Sequence, residues 1–144
     1  MFRQLHCSEP EDLRLLTETA TLALTSGKAV PEQQKNLQHI LYVIDRFRFS
    51  SGIFYYSEWG VLWAEPLLHG VVAHALMTSG NLSQKLTFAK WCIGDLRELG
   101  AWRLIASLPD ANKPAIIFAR LCGFRMVAKA NGMKDFDLWL HETD

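Results

Sequence analysis

The sequence predicts a single α/β domain with a mixed sheet. Its 144 residues are a common size for one domain, and 49% of them are hydrophobic, which is enough for a core. Segments with strand-like and helix-like spacing of apolar residues follow each other in the order β α α β β β α β α β β. No linker, repeat or low-complexity segment interrupts this order, so the domain is expected to cover residues 1–144.

The first third of the chain predicts one strand and two helices. Residues 2–7 alternate between polar and apolar side chains, as a short strand does. Ser8 and Glu11 have the spacing of a capping box at the start of a helix, which Gly27 would end. Pro31 opens a second helix. The apolar faces are expected at Leu13, Leu16, Ala20 and Ala23 in the first helix and at Leu37, Ile40, Leu41, Ile44 and Phe47 in the second.

The middle of the chain predicts three strands and a third helix. Aromatic and β-branched residues between 53 and 77, divided by Gly60, Pro66 and Gly70, indicate strands at 53–58, 60–65 and 70–77. Asn81 and Gln84 have capping-box spacing and open the helix, which ends at Gly100. Its apolar stripe is expected at Leu82, Leu86, Ala89, Ile93 and Leu96.

The last third predicts a strand, a short helix and a hairpin. Residues 101–108 form the strand, and the helix opens at Asn112 and stops at Gly123, which can adopt the left-handed conformation. Residues 124–130 and 135–141 then flank an Asn131-Gly132 turn, which is typical of a tight hairpin.

Charge and cysteine content limit the classes of function. Lys plus Arg and Asp plus Glu both number 15, so the net charge of zero offers no attraction for nucleic acid or an anionic membrane. The most apolar stretch, 61–77, contains Glu65 and Pro66 and is too polar to span a bilayer. The 3 cysteines include no CxxC motif and indicate reduced thiols in the cytoplasm. A neutral chain with 5 Trp and 8 Phe is also a candidate for self-association.

The strand 104–108 and the helix after it carry a family resemblance. Asn112, Ala115 and the pair Gly123-Phe124 have the spacing of the second motif of the GCN5-related N-acetyltransferase (GNAT) superfamily, which the chain resembles most clearly from Val71 to Leu140. In general appearance it is similar to short GNAT-like proteins of tailed bacteriophages. The resemblance implies a mixed, mostly antiparallel sheet of six to seven strands flanked by four helices.

The resemblance also implies acetyl-CoA or another acyl-CoA as cofactor. In the family the pyrophosphate lies at the N-terminus of the helix after the fourth strand, on a loop of the pattern Gln/Arg-x-x-Gly-x-Gly/Ala. The matching segment here, 78–84, has one glycine and no arginine, although Lys85 follows it. The cofactor-binding residues implied are Ser79, Gly80, Asn81, Leu82 and Ser83 for the phosphates, Leu76 and Met77 for the pantetheine arm, and Asn112 beside the cofactor.

Acyl transfer to an amine needs a base and is helped by an acid. The candidate bases are His74, Glu65 and Glu58. The alternative for His74, and the more common role of such a residue, is a core-facing or surface histidine with a satisfied hydrogen bond; for both glutamates it is an exposed position at a strand end or turn. Many family members carry a tyrosine as acid seven residues after the helix asparagine, where this chain has Ala119. Tyr55 or Tyr56 could substitute for it in space, although no feature of the sequence places them there.

Two hypotheses about function follow. The chain is an N-acyltransferase acting on an amine-bearing small molecule or protein, or it is a non-catalytic GNAT-fold protein with a degenerate coenzyme A site. The second kind would bind protein partners or itself, for example as a virion or assembly component of a phage. A metal site is not predicted, because His69 and His74 are five apart in a strand-like sequence and face opposite sides of the sheet. A Cys–His hydrolase pair has no supporting motif.

Overall fold

A computed structural model describes residues 1–25 and 33–140. Gly27 and Pro31, the expected end and start of two helices, lie outside the described residues. Within them the chain forms seven strands and four helices in the expected order. The bounds are β1 Arg3–Leu5, α1 Pro10–Thr25, α2 Gln33–Phe49, β2 Ile53–Ser57, β3 Gly60–Leu67, β4 Gly70–Met77, α3 Leu82–Glu98, β5 Arg103–Pro109, α4 Lys113–Leu121, β6 Arg125–Ala130 and β7 Met133–Trp139.

The strands form one mixed sheet in the order β1-β2-β3-β4-β5-β7-β6. Strands β4 and β5 run parallel and pair at Val71 with Leu104 and at Val72 with Ile105. The pairs β1–β2, β2–β3, β5–β7 and β6–β7 are antiparallel. The predicted α+β class, with a mostly antiparallel mixed sheet and four helices, is therefore confirmed. Asn131 and Gly132 both have positive φ, as a two-residue hairpin turn between β6 and β7 requires.

The described chain consists of two compact units. Unit one comprises Met1–Glu65 and His74–Lys85, and unit two comprises Pro66–Ala73 and Leu86–Asp144, in each case as far as the residues are described. No described helix has the length and apolarity needed to cross a membrane.

The core of unit one joins α1 and α2 to the first strands. Its buried residues are Leu5, Leu16, Val43, Phe47, Phe54, Val61 and Trp63. On α2 the buried positions are Ile40, Val43 and Phe47, whereas Leu41 is 54% exposed. The prediction for Leu41 was therefore wrong, because a helix turns about 100° per residue and the face set by positions 40, 43 and 47 leaves position 41 outside it.

The start of α1 also differs from the prediction. The helix begins at Pro10, and the carbonyl of Glu9 accepts the first helical hydrogen bonds, so Ser8 is not the capping residue. Glu11 pairs with Arg14 instead of completing a capping box. Asp12, which is 2% exposed, accepts from the His6 N–H at 2.8 Å and pairs with Arg3, which ties α1 to β1.

The core of unit two is built by α3, α4 and the strands β5 and β7. The buried positions of α3 are Phe88, Ala89, Cys92, Ile93 and Leu96, so the predicted stripe is present but Leu82, in the first turn, is 49% exposed. Ile116 and Ala119 of α4 and Phe136 of β7 are also buried. Apolar periodicity therefore located the inner face of α3 correctly except at its end, where the stripe reaches the surface.

Two glycines give a direct test of backbone conformation. Gly123 has φ +104°, where an L-residue is strained by about 1–2 kcal/mol, so Gly123→Ala is expected to lower the free energy of unfolding by that amount. Gly94 lies inside α3, and within the described part of the chain an added Cβ would meet no atom within 4 Å beyond its chain neighbours and the backbone of its own helix, so Gly94→Ala should raise the free energy of unfolding by about 0.5–1 kcal/mol. Urea denaturation measures both, and changes of the same sign would contradict the assignment.

Candidate functional site

A buried carboxylate on β3 is the centre of a polar cluster in unit one. Glu65 is only 8% exposed, because β3 runs on past it to Leu67. The alternative of an exposed strand-end residue is therefore wrong. The Glu65 carboxylate accepts hydrogen bonds from the guanidinium of Arg46 on α2 and from Trp63 Nε1 at 3.3 Å. A carboxylate removed from water needs such donors to remain ionised.

The ion pair assigns different roles to the candidate bases. The hydrogen bond from Arg46 holds the pKa of Glu65 below its usual range, and Glu65 raises the pKa of Arg46 in turn. Glu65 is therefore a carboxylate that binds protons weakly and whose oxygens already have donors. These are the properties of a positioning group rather than of a general base.

His74 on β4 lies directly beside this carboxylate. Its Nε2 is 3.7 Å from Glu65 Oε1, and its ring stacks on the Trp63 indole with centroids 5.0 Å apart and planes 18° apart. Burial lowers the pKa of His74, and the charges of His39 and Arg46 lower it further, against an opposing effect of Glu65. The imidazole is therefore neutral at neutral pH, and its side chain remains 37% exposed. A neutral, half-exposed imidazole next to an ionised carboxylate can accept a proton and be stabilised as imidazolium.

The other candidate acid and base residues lie elsewhere. Glu58 is exposed in the turn between β2 and β3. Tyr55 is completely buried and Tyr56 is half-buried against the core of unit one. Burial raises the pKa of Cys92, and it raises the pKa of Cys122 to about 11, so both remain thiols and neither supports a Cys–His pair. Among the described residues, no three His, Cys, Asp or Glu side chains are arranged to hold a metal ion.

The segment before α3 is held against the turn between β2 and β3. The carbonyl of Trp59 accepts from the N–H of Thr78 at 2.8 Å, and the carbonyl of Glu58 accepts from the Ser79 hydroxyl at 3.3 Å. Gly80 has φ +87°, and a Cβ added there would lie 2.6 Å from the Trp59 ring. Packing of Trp59 therefore explains why this position is a glycine.

The N-terminus of α3 has the predicted capping box. The Asn81 side-chain oxygen accepts from the Gln84 N–H and the Gln84 side-chain oxygen accepts from the Asn81 N–H, both at 2.9 Å. Leu82 and Ser83, the first two residues of the helix, are exposed. At the positive end of the helix dipole, two of the backbone N–H groups are thus already bound by the protein's own side chains.

Of the two residues expected to bind the pantetheine arm, Leu76 and Met77, one directs its backbone groups to the side of β4 opposite β3. The Thr78 N–H donates to the Trp59 carbonyl, and the Leu76 carbonyl lies against Gly60 of β3. The backbone N–H and C=O groups of residues 76 and 78 therefore point toward β3. Successive residues of a strand direct their N–H and C=O groups to opposite sides. Met77 therefore directs its backbone groups away from β3, whereas those of Leu76 point toward it.

The helix α4 in unit two has the capping structure expected from its sequence. The Asn112 side-chain oxygen accepts from the Ala115 N–H at 3.3 Å. At the other end, Gly123 donates to the Arg120 carbonyl and Phe124 to the Ala119 carbonyl, which is a Schellman motif. Ala119 itself is 8% exposed and has no side-chain proton to donate.

Comparison with solved structures identifies the architecture. An aminoglycoside 6′-acetyltransferase type Ii matches with a TM-score of 0.78 at 12% identity, covering 100% of this chain and 99% of that one. A putative GNAT-family acetyltransferase from Desulfovibrio desulfuricans matches with a TM-score of 0.72 at 14% identity, covering 98% and 99%. The PaiA N-acetyltransferase from Thermoplasma acidophilum, in complex with coenzyme A, matches at 0.73 and 11%, covering 96% and 98%. The chain has the GNAT fold.

The likeness to these proteins is visible in the structure and not in the sequence. No model of a protein family and no curated protein matches the chain. Because the similar structures share so few residues with it, the likeness concerns the fold and leaves the chemistry to be argued from the site itself.

Within this GNAT fold, several residues of the cluster were not expected from the sequence. Arg46 reaches Glu65 from α2, Trp63 lies two residues before it on β3, and His39 of α2 acts on His74 through its charge. The one local signal was the spacing of Trp63 and Glu65, two residues apart on a strand, which puts both side chains on one face. Arg46 had no such signal, because an arginine in a surface helix is usually solvated.

Replacing Arg46 tests whether it controls the protonation of His74. In Arg46→Met the cation is lost and the Glu65 carboxylate is left to pair with the imidazolium, so the pKa of His74 should rise. NMR titration of the imidazole protons measures it. Arg48→Met is the matched control, because Arg48 lies against Phe49 on the same helix. A His74 pKa that falls or stays constant in Arg46→Met would contradict the argument.

Proposed function

We propose that the protein transfers an acyl group from an acyl-CoA-type thioester to an amine. The observation that carries the proposal is the neutral His74 imidazole beside the ionised Glu65, which is itself held by Arg46 and Trp63. The GNAT fold supports it, since similar structures include acetyltransferases described with coenzyme A or acetyl-CoA. The acceptor is an amine on a small molecule or a protein.

In this proposal His74 is the general base. It accepts the proton that the acceptor amine loses, and Glu65 then stabilises the imidazolium across the 3.7 Å that separates Nε2 from the carboxylate. Trp63 fixes the plane of the imidazole by stacking, and Arg46 keeps Glu65 ionised. An acyl-CoA would supply a thioester carbonyl open to attack and a thiol that leaves. Ala119 supplies no acid, so the coenzyme A sulfur, which leaves as a thiolate, takes its proton from solvent or from the imidazolium.

The residues present fit one end of coenzyme A better than the other. In this proposal the backbone groups of Met77, which point away from β3, pair with an extended pantetheine arm. The phosphate end was expected at Ser79, Gly80, Asn81, Leu82 and Ser83. There the capping box and the contact of Gly80 with Trp59 take up groups that a pyrophosphate would use, so the phosphates fit poorly.

A thermal-shift titration combined with a pair of histidine variants tests the proposal. An acyl-CoA at a hundred times its dissociation constant adds about 2.7 kcal/mol of stability. His74→Asn should leave this binding unchanged and reduce turnover of a primary-amine panel by roughly 10²–10⁴-fold, the usual contribution of a general base. His69→Asn, an exposed histidine in the turn between β3 and β4, is the control and should change neither.

The pH dependence gives a second measurement on the same proteins. Protonated His74 cannot accept a proton, so the turnover that depends on it falls as the pH decreases through its pKa. Because burial lowers that pKa below its ordinary value of 6.5, the midpoint of this limb lies at a pH below 6.5. Full turnover in His74→Asn would remove His74 from the mechanism. So would an acidic decrease in turnover that occurs at the same pH in the variant as in the wild-type protein.

A non-catalytic binding role is the second candidate. It is favoured by Ala119 in place of an acid and by the exposed pair Trp102 and Trp139, which are 44% and 49% accessible with ring centroids 5.1 Å apart. Such a protein would be a binding or assembly component, in the cytoplasm or in a phage virion. Self-association in light scattering together with no response to any acyl thioester would favour it, and a strict monomer that turns over amines would exclude it.

A further inference from the structure

The segment that precedes α3 uses its own hydrogen-bond donors internally. The Thr78 N–H and the Ser79 hydroxyl are bound by carbonyls of Trp59 and Glu58. The N–H groups of Asn81 and Gln84 are bound by each other's side-chain oxygens at 2.9 Å. Two of these donors, the N–H groups of Asn81 and Gln84, belong to the first turn of α3, the part of a helix that can hold a phosphate.

A capping box and a phosphate compete for the same groups. Each accepts hydrogen bonds from the first N–H groups of a helix, so at Asn81 and Gln84 a phosphate oxygen can bind the N–H only where a capping oxygen leaves. Displacement exchanges one hydrogen bond for another and gains little, since a typical hydrogen bond contributes only about 1 kcal/mol net. The two carboxamide oxygens of the cap therefore occupy the N–H groups of Asn81 and Gln84, two of the four at the start of α3.

Close packing restricts the approach as well. The Trp59 ring covers Gly80, with Cδ1 2.6 Å from the position of an added Cβ, and Phe2 packs edge-on against Trp59 with ring centroids 5.6 Å apart. Segment 78–84 also contains no arginine or lysine, so no cation within it offsets the loss of the N–H groups. Lys85 is the nearest cation along the chain and is half-buried.

We propose that this chain binds its acyl donor by the pantetheine arm and that the nucleotide end contributes little. The donor class is then acyl-pantetheine thioesters, including a phosphopantetheine arm, with or without adenosine 3′,5′-bisphosphate. This inference rests on the proposed acyl transfer. In each case the acceptor nitrogen bonds to the acyl carbon, the C–S bond breaks, and the proton lost by the amine balances the thiolate that leaves as free thiol.

A comparison of donors tests the substrate class. Acetyl-CoA, acetyl-phosphopantetheine and acetyl-pantetheine are assayed against the same amine panel. The expected kcat/KM values agree within about tenfold, because the parts that differ make few contacts. A loss of a hundredfold or more from acetyl-CoA to acetyl-pantetheine would overturn the inference.

Nucleotide binding without turnover tests the capping argument independently. Adenosine 3′,5′-bisphosphate should leave the melting temperature of the wild-type protein unchanged, at fixed ionic strength. In the double variant Asn81→Gly, Gln84→Ala the helix N–H groups are released, and the nucleotide should now raise the melting temperature. Lys90→Ala, an exposed position on the same helix, is the control and should behave as wild type.

The outcomes separate this inference from the proposed function. Stabilisation of the wild-type protein by the nucleotide overturns the inference, and so does a double variant that gains no nucleotide response. If the double variant does not fold, Asn81→Gly alone serves, because glycine is tolerated at a helix N-cap. Failure of every thioester to react contradicts the proposed function, while the nucleotide titration still decides whether the cap excludes phosphate.

Discussion

The ion pair between Arg46 and Glu65 joins α2 to β3 at a point where the carboxylate is 8% exposed. A carboxylate in that position stays charged only while its hydrogen-bond donors remain in place. Moving Arg46 or Trp63 away would leave the buried charge unpaired, and this cost fixes the positions of both side chains. Trp63 in turn supports the imidazole of His74, since the two rings stack 5.0 Å apart. The orientation of the proposed base thus depends on an interaction that the base itself does not make.

The start of α3 shows a conflict between helix stability and ligand binding. Asn81 and Gln84 satisfy the first turn of the helix, which stabilises it with no ligand required. A loop that leaves those N–H groups unsatisfied is less stable alone and better suited to hold a phosphate. In this chain the first turn of α3 is stabilised by its own side chains rather than left open for a phosphate. The packing of Trp59 against Gly80 fixes the preceding turn as well.

Features set by neighbouring residues were predicted well from the sequence. The caps at Asn81 and Asn112 and the left-handed glycine at Gly123 each depend on a few adjacent backbone groups. Predictions were less accurate where several local signals competed. Ser8 has the spacing of a cap, yet α1 begins at Pro10, and in its first turn Asp12 pairs with Arg3 and accepts from the His6 N–H. Leu41 is apolar and helical, yet it lies outside the face that packs.

The sequence by itself determined the order of the elements, and the spacing of Asn112, Ala115 and Gly123-Phe124 predicted the GNAT fold that comparison with solved structures confirms. Only the tertiary structure decided which polar residues meet. Arg46, Glu65 and His74 come from a helix and two different strands, and their contact depends on strand pairing and helix packing rather than on spacing along the chain. The same pairing buried Glu65 and lowered the pKa of His74, because burial is a property of the assembled core and not of the residue.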